Sequence, residues 1–157
     1  MKLTIKKLNH LPSLSEETYA FSAYVYVDNK VIGKASNNGT GGSTNFHPNE
    51  DGQYYLEHTV SRTKLIELID DAVHAKISEA SQAKELRKIK KHMLKAVLFI
   101  NDGNEDFGSY RYVQLKGKPV LTGEQYLKLL DGVQKKYPSA IILNGKPDEE
   151  LVKLLAI

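Results

Sequence analysis

The spacing of apolar residues divides the chain into three stretches, and the first, up to about residue 58, is typical of β-sheet. Residues 3–8 suit a first strand, and residues 19–27 are rich in the aromatic and β-branched side chains that pleated sheets favour. Asp28-Asn29 follows, and both residue types tolerate the positive φ of tight turns. We therefore predict a hairpin that joins residues 19–27 to a strand at 31–35.

The second stretch is helical, because apolar residues recur at spacings of three and four from Leu65 to Met93. Ser61 or Thr63 would cap the start of this helix. The polar run at 78–81 interrupts the pattern. The sequence thus predicts either one long helix or two shorter helices across 62–94.

The third stretch mixes strands and helices. Short apolar runs at 96–100, 110–115 and 140–143 predict strands. Thr122 with Gln125 three residues later is the pattern of a capping box, so a helix should begin there. The last helix should begin near Pro147, where the missing N–H of proline costs least. Turns are expected at 101–103, 107–109 and 144–145.

This order of elements predicts an α+β fold. It consists of N-terminal antiparallel strands, a long central helix or helix pair, and then β-β-α-β-α. We expect one mixed sheet packed by helices. A length of 157 residues suits one domain, so residues 1–157 are predicted to form a single α+β domain.

Composition narrows the function classes. The chain is 41% hydrophobic and 26% charged, as globular proteins are. It has no cysteine, which excludes disulfides, thiolate metal ligands and a cysteine nucleophile and favours a cytoplasmic protein. No run approaches the ~18 apolar residues of a membrane span, so no membrane partner is expected. The net charge of +3 permits an anionic partner, and we expect no cofactor and no bound metal.

Residues 37–52 lack apolar periodicity and are predicted to be a long loop, which in a compact domain is usually functional or mobile. Closely spaced glycines leave backbone N–H groups unobstructed, so they can form a nest that binds phosphate or carboxylate. The loop lacks the Gly-Lys-Ser/Thr ending of a P-loop. The alternative is a flexible connection whose glycines satisfy turn geometry. The candidate ligand-binding residues are Asn38, Gly39, Thr40, Gly41, Gly42, Ser43 and Thr44.

Four residues near this loop can move protons or ligate metal: His47, Asp51, Glu57 and His58. Histidine titrates near neutral pH, so the two histidines could serve as general acid and base if the loop folds back. The spacing matches no established zinc motif. The alternative interpretation is that these are solvated or capping side chains.

A basic helix face is the third candidate. Lysines four residues apart share one side of a helix and can neutralise phosphates, although lysine is also common on any exposed helix. Tyr110 and Tyr112 alternate with Arg111 on a predicted strand, where they would either stack on bases or fill a core. The candidate basic residues are Lys84, Arg87, Lys88, Lys91 and Lys95.

The pattern Asp28-Asn-Lys-Val-Ile-Gly33 through Asn38-Gly-Thr-Gly-Gly-Ser-Thr44 resembles that of small uncharacterised proteins of bacteria and mobile elements. In those proteins a strand, a short turn and a second strand precede a loop rich in Asn and Gly. The segment 137–144 is similar to their C-terminal part. The resemblance implies a phage or plasmid accessory protein, and it transfers no activity.

Three functions follow as hypotheses. The leading one is a non-enzymatic binding protein whose Gly-rich loop and basic helix recognise an anionic small molecule, a nucleic acid or a partner protein. Inhibition of a host defence component is one specialisation, which rests on analogy. The second is a phosphodiesterase or nuclease that uses His47 and His58 with Glu57 and Asp51. The third is a structural module for oligomerisation. All binding hypotheses assume that the glycine amides meet a negative group.

Overall fold

A computed structural model describes residues 2–101, 109–117 and 119–157. Most of the predicted turns at 101–103 and 107–109 lies outside these ranges. The chain divides into two compact units, Met1–Glu79 (unit 1) and Ala80–Ile157 (unit 2). The prediction of one domain over 1–157 stays a prediction. No helix of the described residues combines the length and the apolarity that crossing a membrane requires.

The fold is α+β, as predicted, but its strands form two antiparallel sheets and not one mixed sheet. The first four strands pair in chain order, and three later strands form a separate sheet in which β5 (Ala96–Ile100) lies between β6 (Arg111–Gln114) and β7 (Ile141–Ile142). β5 forms backbone hydrogen bonds with β6 along one edge and with β7 along the other, so both of its edges are paired within this sheet. The elements are β1 (Leu3–His10), β2 (Ala20–Val27), β3 (Lys30–Asn38), β4 (Asn45–Pro48), α1 (Glu50–His58), α2 (Arg62–Met93), β5 (Ala96–Ile100), β6 (Arg111–Gln114), α3 (Gly123–Lys136), β7 (Ile141–Ile142) and α4 (Asp148–Leu155), with a short 3-10 turn at Pro12–Leu14.

The hairpin of β2 and β3 is confirmed. Asp28 and Asn29 have φ of 47° and 69° and form the two-residue turn between the strands. A two-residue turn with positive φ at both positions matches the twist of antiparallel strands, and Asp-Asn supplies it at little steric cost.

The core of unit 1 lies between one face of the four-stranded sheet and the first half of α2. Strand residues alternate, so every second side chain of β2 points into this core. The buried residues are Ile5, Phe21, Ala23, Val25, Val27, Ile32, Ala35 and Phe46 from the sheet and Leu65, Ile69, Val73 and Ile77 from α2.

One continuous helix spans 62–93, so the single-helix alternative holds. The backbone N–H of Lys64 donates to Ser61 Oγ at 3.3 Å, which confirms Ser61 as a cap. The polar residues at 78–81 are exposed and do not break the helix, because Ser, Glu and Ala are all tolerated in helix interiors.

The predicted loop at 37–52 is wrong. β3 continues through Asn38, β4 pairs with β3, and α1 begins after the N-cap Asn49, whose side chain accepts from the N–H of Gly52. The sequence hides these elements because β4 buries only Phe46 and α1 carries few apolar residues. The glycine at 52 allows α1 to approach β3, since a Cβ there would lie 1.9 Å from the carbonyl oxygen of Ile32.

Unit 2 has a central strand, β5, that is buried on both faces. On one face Leu98 packs with the end of α2 and with α4, and on the other Val97 and Phe99 pack with α3. This double burial explains the continuous apolar run at 96–100. The capping box of Thr122 and Gln125 is confirmed, and α4 begins directly after Pro147.

Candidate functional site

The Gly-rich loop of unit 1 uses its main-chain groups internally. The N–H of Gly39 donates to Asn37 Oδ1 at 2.8 Å, and the N–H of Gly41 donates to Thr18 Oγ1 at 3.3 Å. The carbonyl oxygen of Gly39 accepts from the N–H groups of residues 16, 17 and 18 at 3.0, 3.0 and 3.2 Å. The loop is thereby fixed to the segment 14–18.

Close packing explains why glycine stands at positions 39 and 41. Their φ values are +90° and +84°, which side chains rarely adopt. A Cβ on Gly39 would lie 2.1 Å from the carbonyl oxygen of Leu14, and one on Gly41 would lie 2.1 Å from Glu17 Oε2. The predicted nest is therefore wrong for these two amides, because they have internal acceptors and a carboxylate of the same chain occupies the space beside Gly41.

Asn37 organises this region, and the sequence does not single it out. Its Oδ1 accepts from Thr18 Oγ1 at 3.0 Å, and its Nδ2 donates to the carbonyl oxygen of Gly42 at 2.8 Å. The Nδ2 group also lies 3.4 Å from Thr44 Oγ1, which donates to Asp70 Oδ1 at 2.6 Å. Thr44 is 4% exposed, so this network stabilises the loop from within.

A cavity of about 520 Å³, the loop cavity, lies beside this network. Three carboxylates, those of Glu16, Glu17 and Asp70, are part of its lining. Carboxylates repel phosphate and carboxylate ligands, so the charge of the loop cavity opposes the anion site that the glycines suggested. The rest of the lining is Ser15, Thr18, Tyr19, Phe21, Asn37, Gly42, Ser43, Thr44, Val73 and His74.

The two histidines of the hydrolase hypothesis have different neighbours. His47 is exposed on β4 opposite Lys34, whereas His58 stacks on Tyr54 with ring centroids 4.2 Å apart. His58 Nδ1 also lies 2.8 Å from the carbonyl oxygen of Tyr54.

The two acidic residues of that hypothesis are also engaged elsewhere. Asp51 pairs with Lys30 at 2.6 Å, and Glu57 Oε1 accepts from Gln53 at 3.0 Å. Within the described part of the chain, no three His, Cys, Asp or Glu side chains are grouped so that they could hold a metal. Asp51 and Glu57 are therefore each engaged with a nearby side chain.

Four of the five residues of the predicted basic face lie on a helix, α2. Lys84, Arg87, Lys88 and Lys91 are exposed on α2, and Lys88 pairs with Glu85 at 2.8 Å. Lys95 is partly buried in the turn after the end of α2, so it lies outside the helix, and its place in a basic surface stays a prediction. Lysines spread along one exposed helix with a neighbouring carboxylate do not enclose a ligand.

In unit 2, a groove of about 990 Å³ lies between the three-stranded sheet and α3, and we call it the groove. Phe99 and Val113 of neighbouring strands form its floor together with Leu129 and Val133 of α3. Antiparallel pairing sets Arg111 directly opposite Phe99, on the side of the sheet that faces α3. The full lining is Phe99, Arg111, Tyr112, Val113, Leu115, Gln125, Lys128, Leu129, Gly132, Val133, Lys136 and Tyr137.

The charge of the groove has one sign. Arg111, Lys128 and Lys136 are exposed in its lining, and none of the described lining residues is acidic. Lys128, Gly132 and Lys136 follow one another at steps of four along α3, so they form one stripe. A Cβ on Gly132 would meet nothing within 4 Å, so this glycine leaves a gap between the two lysines.

Aromatic rings complete the groove. Tyr137 packs against Phe99 with ring centroids 5.2 Å apart, and Lys136 Nζ lies 5.3 Å from the centroid of Tyr137. Tyr112 is part of the lining, whereas Tyr110, which precedes β6, is not; both rings contact His92, as their predicted position on one face requires. Burial, and then the charge of Glu85, raise the pKa of Tyr110, so its hydroxyl stays protonated at neutral pH.

Sequence reasoning missed the groove because its parts are far apart in the chain. The only local signal is the Lys-Gly-Lys spacing of four on α3. Comparison of the chain with models of known protein families, with curated proteins and with solved structures found no match. The resemblance to proteins of mobile elements therefore stays a prediction.

Proposed function

We propose that this protein is a non-enzymatic binding protein that holds an anionic ligand with a flat, apolar part in the groove of unit 2. The observation that carries the proposal is the combination of three cationic side chains with an apolar floor, the ring of Tyr137 and no carboxylate in the described lining. Mononucleotides have this chemistry, because a planar base is joined to a phosphate.

The dimensions of the groove suit such a ligand. Its volume of about 990 Å³ lies at the upper end of the ~300–1,000 Å³ range of small-molecule sites. Lys128 and Lys136 are about 12 Å apart along the helix axis, at a rise of ~1.5 Å per residue. A phosphate can approach the helix between them at Gly132, where no side chain intervenes.

The apolar part of the ligand would contact the partly exposed ring of Tyr137, which packs on the buried Phe99. Planar rings gain from offset or edge contacts with aromatic side chains. Arg111 lies opposite Phe99 and can pair with phosphate through two parallel N–H donors. The charge of the lining favours an anion, and the ring of Tyr137 favours a planar base over a simple sugar phosphate.

Calorimetric titration without added metal tests this proposal, with AMP, adenosine and ribose 5-phosphate as probes. We expect saturable AMP binding that adenosine and ribose 5-phosphate each reproduce only weakly. The double variant Lys128→Ala/Lys136→Ala should weaken AMP binding by about 100-fold, at roughly 1.4 kcal/mol for each charged hydrogen bond.

The matched control is Lys135→Ala. Lys135 is also exposed on α3, but it pairs with Asp131 at 2.7 Å and is outside the groove lining. Its loss should leave AMP affinity unchanged. Absence of saturable AMP binding to the parent protein, or equal affinity in the double variant, would contradict the proposal.

The other hypotheses lead to separate measurements. A structural module would self-associate, which sedimentation of the protein detects. The inhibition of a host defence component rests on resemblance and stays a prediction. No contact among the described residues favours the hydrolase over the binding protein.

A further inference from the structure

One face of the four-stranded sheet in unit 1 carries a continuous row of basic and aromatic side chains. Lys6 of β1 lies opposite Tyr24 of β2, Tyr24 opposite Lys34 of β3, and Lys34 opposite His47 of β4. Tyr26, two residues after Tyr24, lies on the same face. We call these five residues the open face.

A second row on the same face is uncharged. It consists of Asn9, Ser22, Ser36 and Asn45, each opposite the next across the four strands. Hydroxyl and amide groups of this kind can hydrogen-bond to sugars, phosphates and base edges. Lys6, Lys34 and His47 are exposed in the whole structure, so the open face is accessible.

The charge of unit 1 is separated between its parts. None of the strands β1 to β4 contains Asp or Glu, and the acidic residues of unit 1 are in its loops and helices. Opposite charges on facing strand positions stabilise a sheet. Lys34 instead lies between Tyr24 and His47, with no carboxylate directly opposite it. An external anion could therefore pair with Lys34, whereas Asp28 of the β2–β3 turn lies near Lys6.

The lysines are held against the tyrosine rings. Lys6 Nζ lies 4.3 Å from the centroid of Tyr26, and Lys34 Nζ lies 5.0 Å from the centroid of Tyr24. Lys7 Nζ also approaches Tyr24, at 5.4 Å. Cation–π contacts of this kind fix a positive charge beside an aromatic surface, which is the combination that single-stranded nucleic acids require.

We propose that the open face binds single-stranded nucleic acid without marked sequence preference. Tyr24 and Tyr26 are two residues apart on one strand, or about 7 Å, so two successive unstacked bases can each contact a ring. Lys6 and Lys34 would contact the phosphates, and His47 lies beside Lys34. A duplex hides its base faces, so the single strand is the better partner for tyrosine rings. This surface is separate from the groove of unit 2.

Fluorescence anisotropy with a labelled 12-nucleotide oligothymidylate at low salt tests the proposal. We expect saturable binding that weakens with salt, by about 0.7 in log K per log unit of salt for each phosphate contact. Lys6→Gln and Lys34→Gln should each lower that slope. Tyr24→Phe should retain affinity, whereas Tyr24→Ala should lose about tenfold, since stacking persists only in the first.

Control variants keep the test specific. Lys64 is exposed on α2 and pairs with Glu67 at 2.9 Å, so Lys64→Gln should change neither affinity nor slope. Tyr54 is 65% exposed on α1, outside the open face, and Tyr54→Ala should be silent. The groove variant Lys128→Ala/Lys136→Ala should still bind the oligonucleotide, which separates this proposal from that of the groove.

Three outcomes would overturn the proposal. These are no saturable binding to the parent protein, an effect of Lys64→Gln as large as that of Lys34→Gln, and tighter binding of the matching duplex than of the single strand. The lysine variants and Tyr24→Phe do not disturb buried groups, so the test remains decisive even if Tyr24→Ala fails to fold.

Discussion

The loop cavity of unit 1 and the groove of unit 2 are both concave and partly apolar, but their charges are opposite. Glu16, Glu17 and Asp70 line the loop cavity. In the groove, every charged residue of the described lining is basic. The loop cavity has the glycines that suggest an anion site, and the groove has the cations that would make one. Closely spaced glycines therefore indicate an anion site only if their amides lack internal acceptors.

The two regions also use glycine differently. Gly39 and Gly41 permit close contact between two segments of the chain, at positions where any side chain would collide. Gly132 keeps space open between two lysines. Replacing each glycine by alanine therefore distinguishes the two uses, because a glycine needed for packing should lose stability and Gly132 should not.

The largest expected loss of stability is at Gly39, where a Cβ would collide with the carbonyl oxygen of Leu14. Gly39→Ala should lower the free energy of unfolding by more than about 2 kcal/mol, because it adds a left-handed strain of ~1–2 kcal/mol to a collision with a carbonyl oxygen. Gly42→Ala should change it by less than about 0.5 kcal/mol, because a Cβ at Gly42 has no neighbour within 4 Å. Urea unfolding measures both, and equal losses would show that the loop is not packed as described.

The next effect concerns the network around Asn37. Asn37→Ala should cost about 1–3 kcal/mol, because it leaves partly buried partners of the amide unsatisfied. Asn38 is the matched control, since it is exposed and its side chain accepts only from Thr40 Oγ1 in the described contacts. If thermal unfolding finds Asn38→Ala as destabilising as Asn37→Ala, the network does not hold the loop.

The smallest expected effect on stability is that of substituting the helix glycine Gly132, and the helix glycine Gly52 is its opposite. Gly132→Ala should stabilise unit 2 by up to about 1 kcal/mol, because alanine is the better helix former and the added methyl group meets open space. Gly52→Ala should destabilise, because its Cβ would collide with the carbonyl oxygen of Ile32. Gly132→Leu should fill the groove and abolish AMP binding, and unchanged AMP affinity in that variant would place the ligand elsewhere.

Local sequence patterns predicted the elements whose signals are local. The Asp28-Asn29 hairpin, the helix over 62–93 and the capping box of Thr122 all appear as expected. In each case the determining residues are within four positions of one another.

Long-range contacts account for what the sequence did not reveal. The acceptor for the Gly41 amide is Thr18, twenty-three positions earlier, so no local pattern shows that the amide is occupied. The groove depends on β5 pairing with β6, which brings Arg111 opposite Phe99. The loop predicted over 37–52 failed for a related reason. The first turn of α1 is fixed by its cap and by contact of Gly52 with β3, whereas the apolar residues that pack α1 on the core, Tyr55 and Leu56, lie beyond position 52.

The most direct test of the comparison is a ¹H–¹⁵N NMR titration of the protein with AMP. If the groove is the anion site, the amide signals of Lys128, Gly132 and Lys136 should shift with AMP concentration, and those of Gly39 and Gly41 should stay in place. Shifts confined to the two glycines of the loop, with α3 unchanged, would contradict the account.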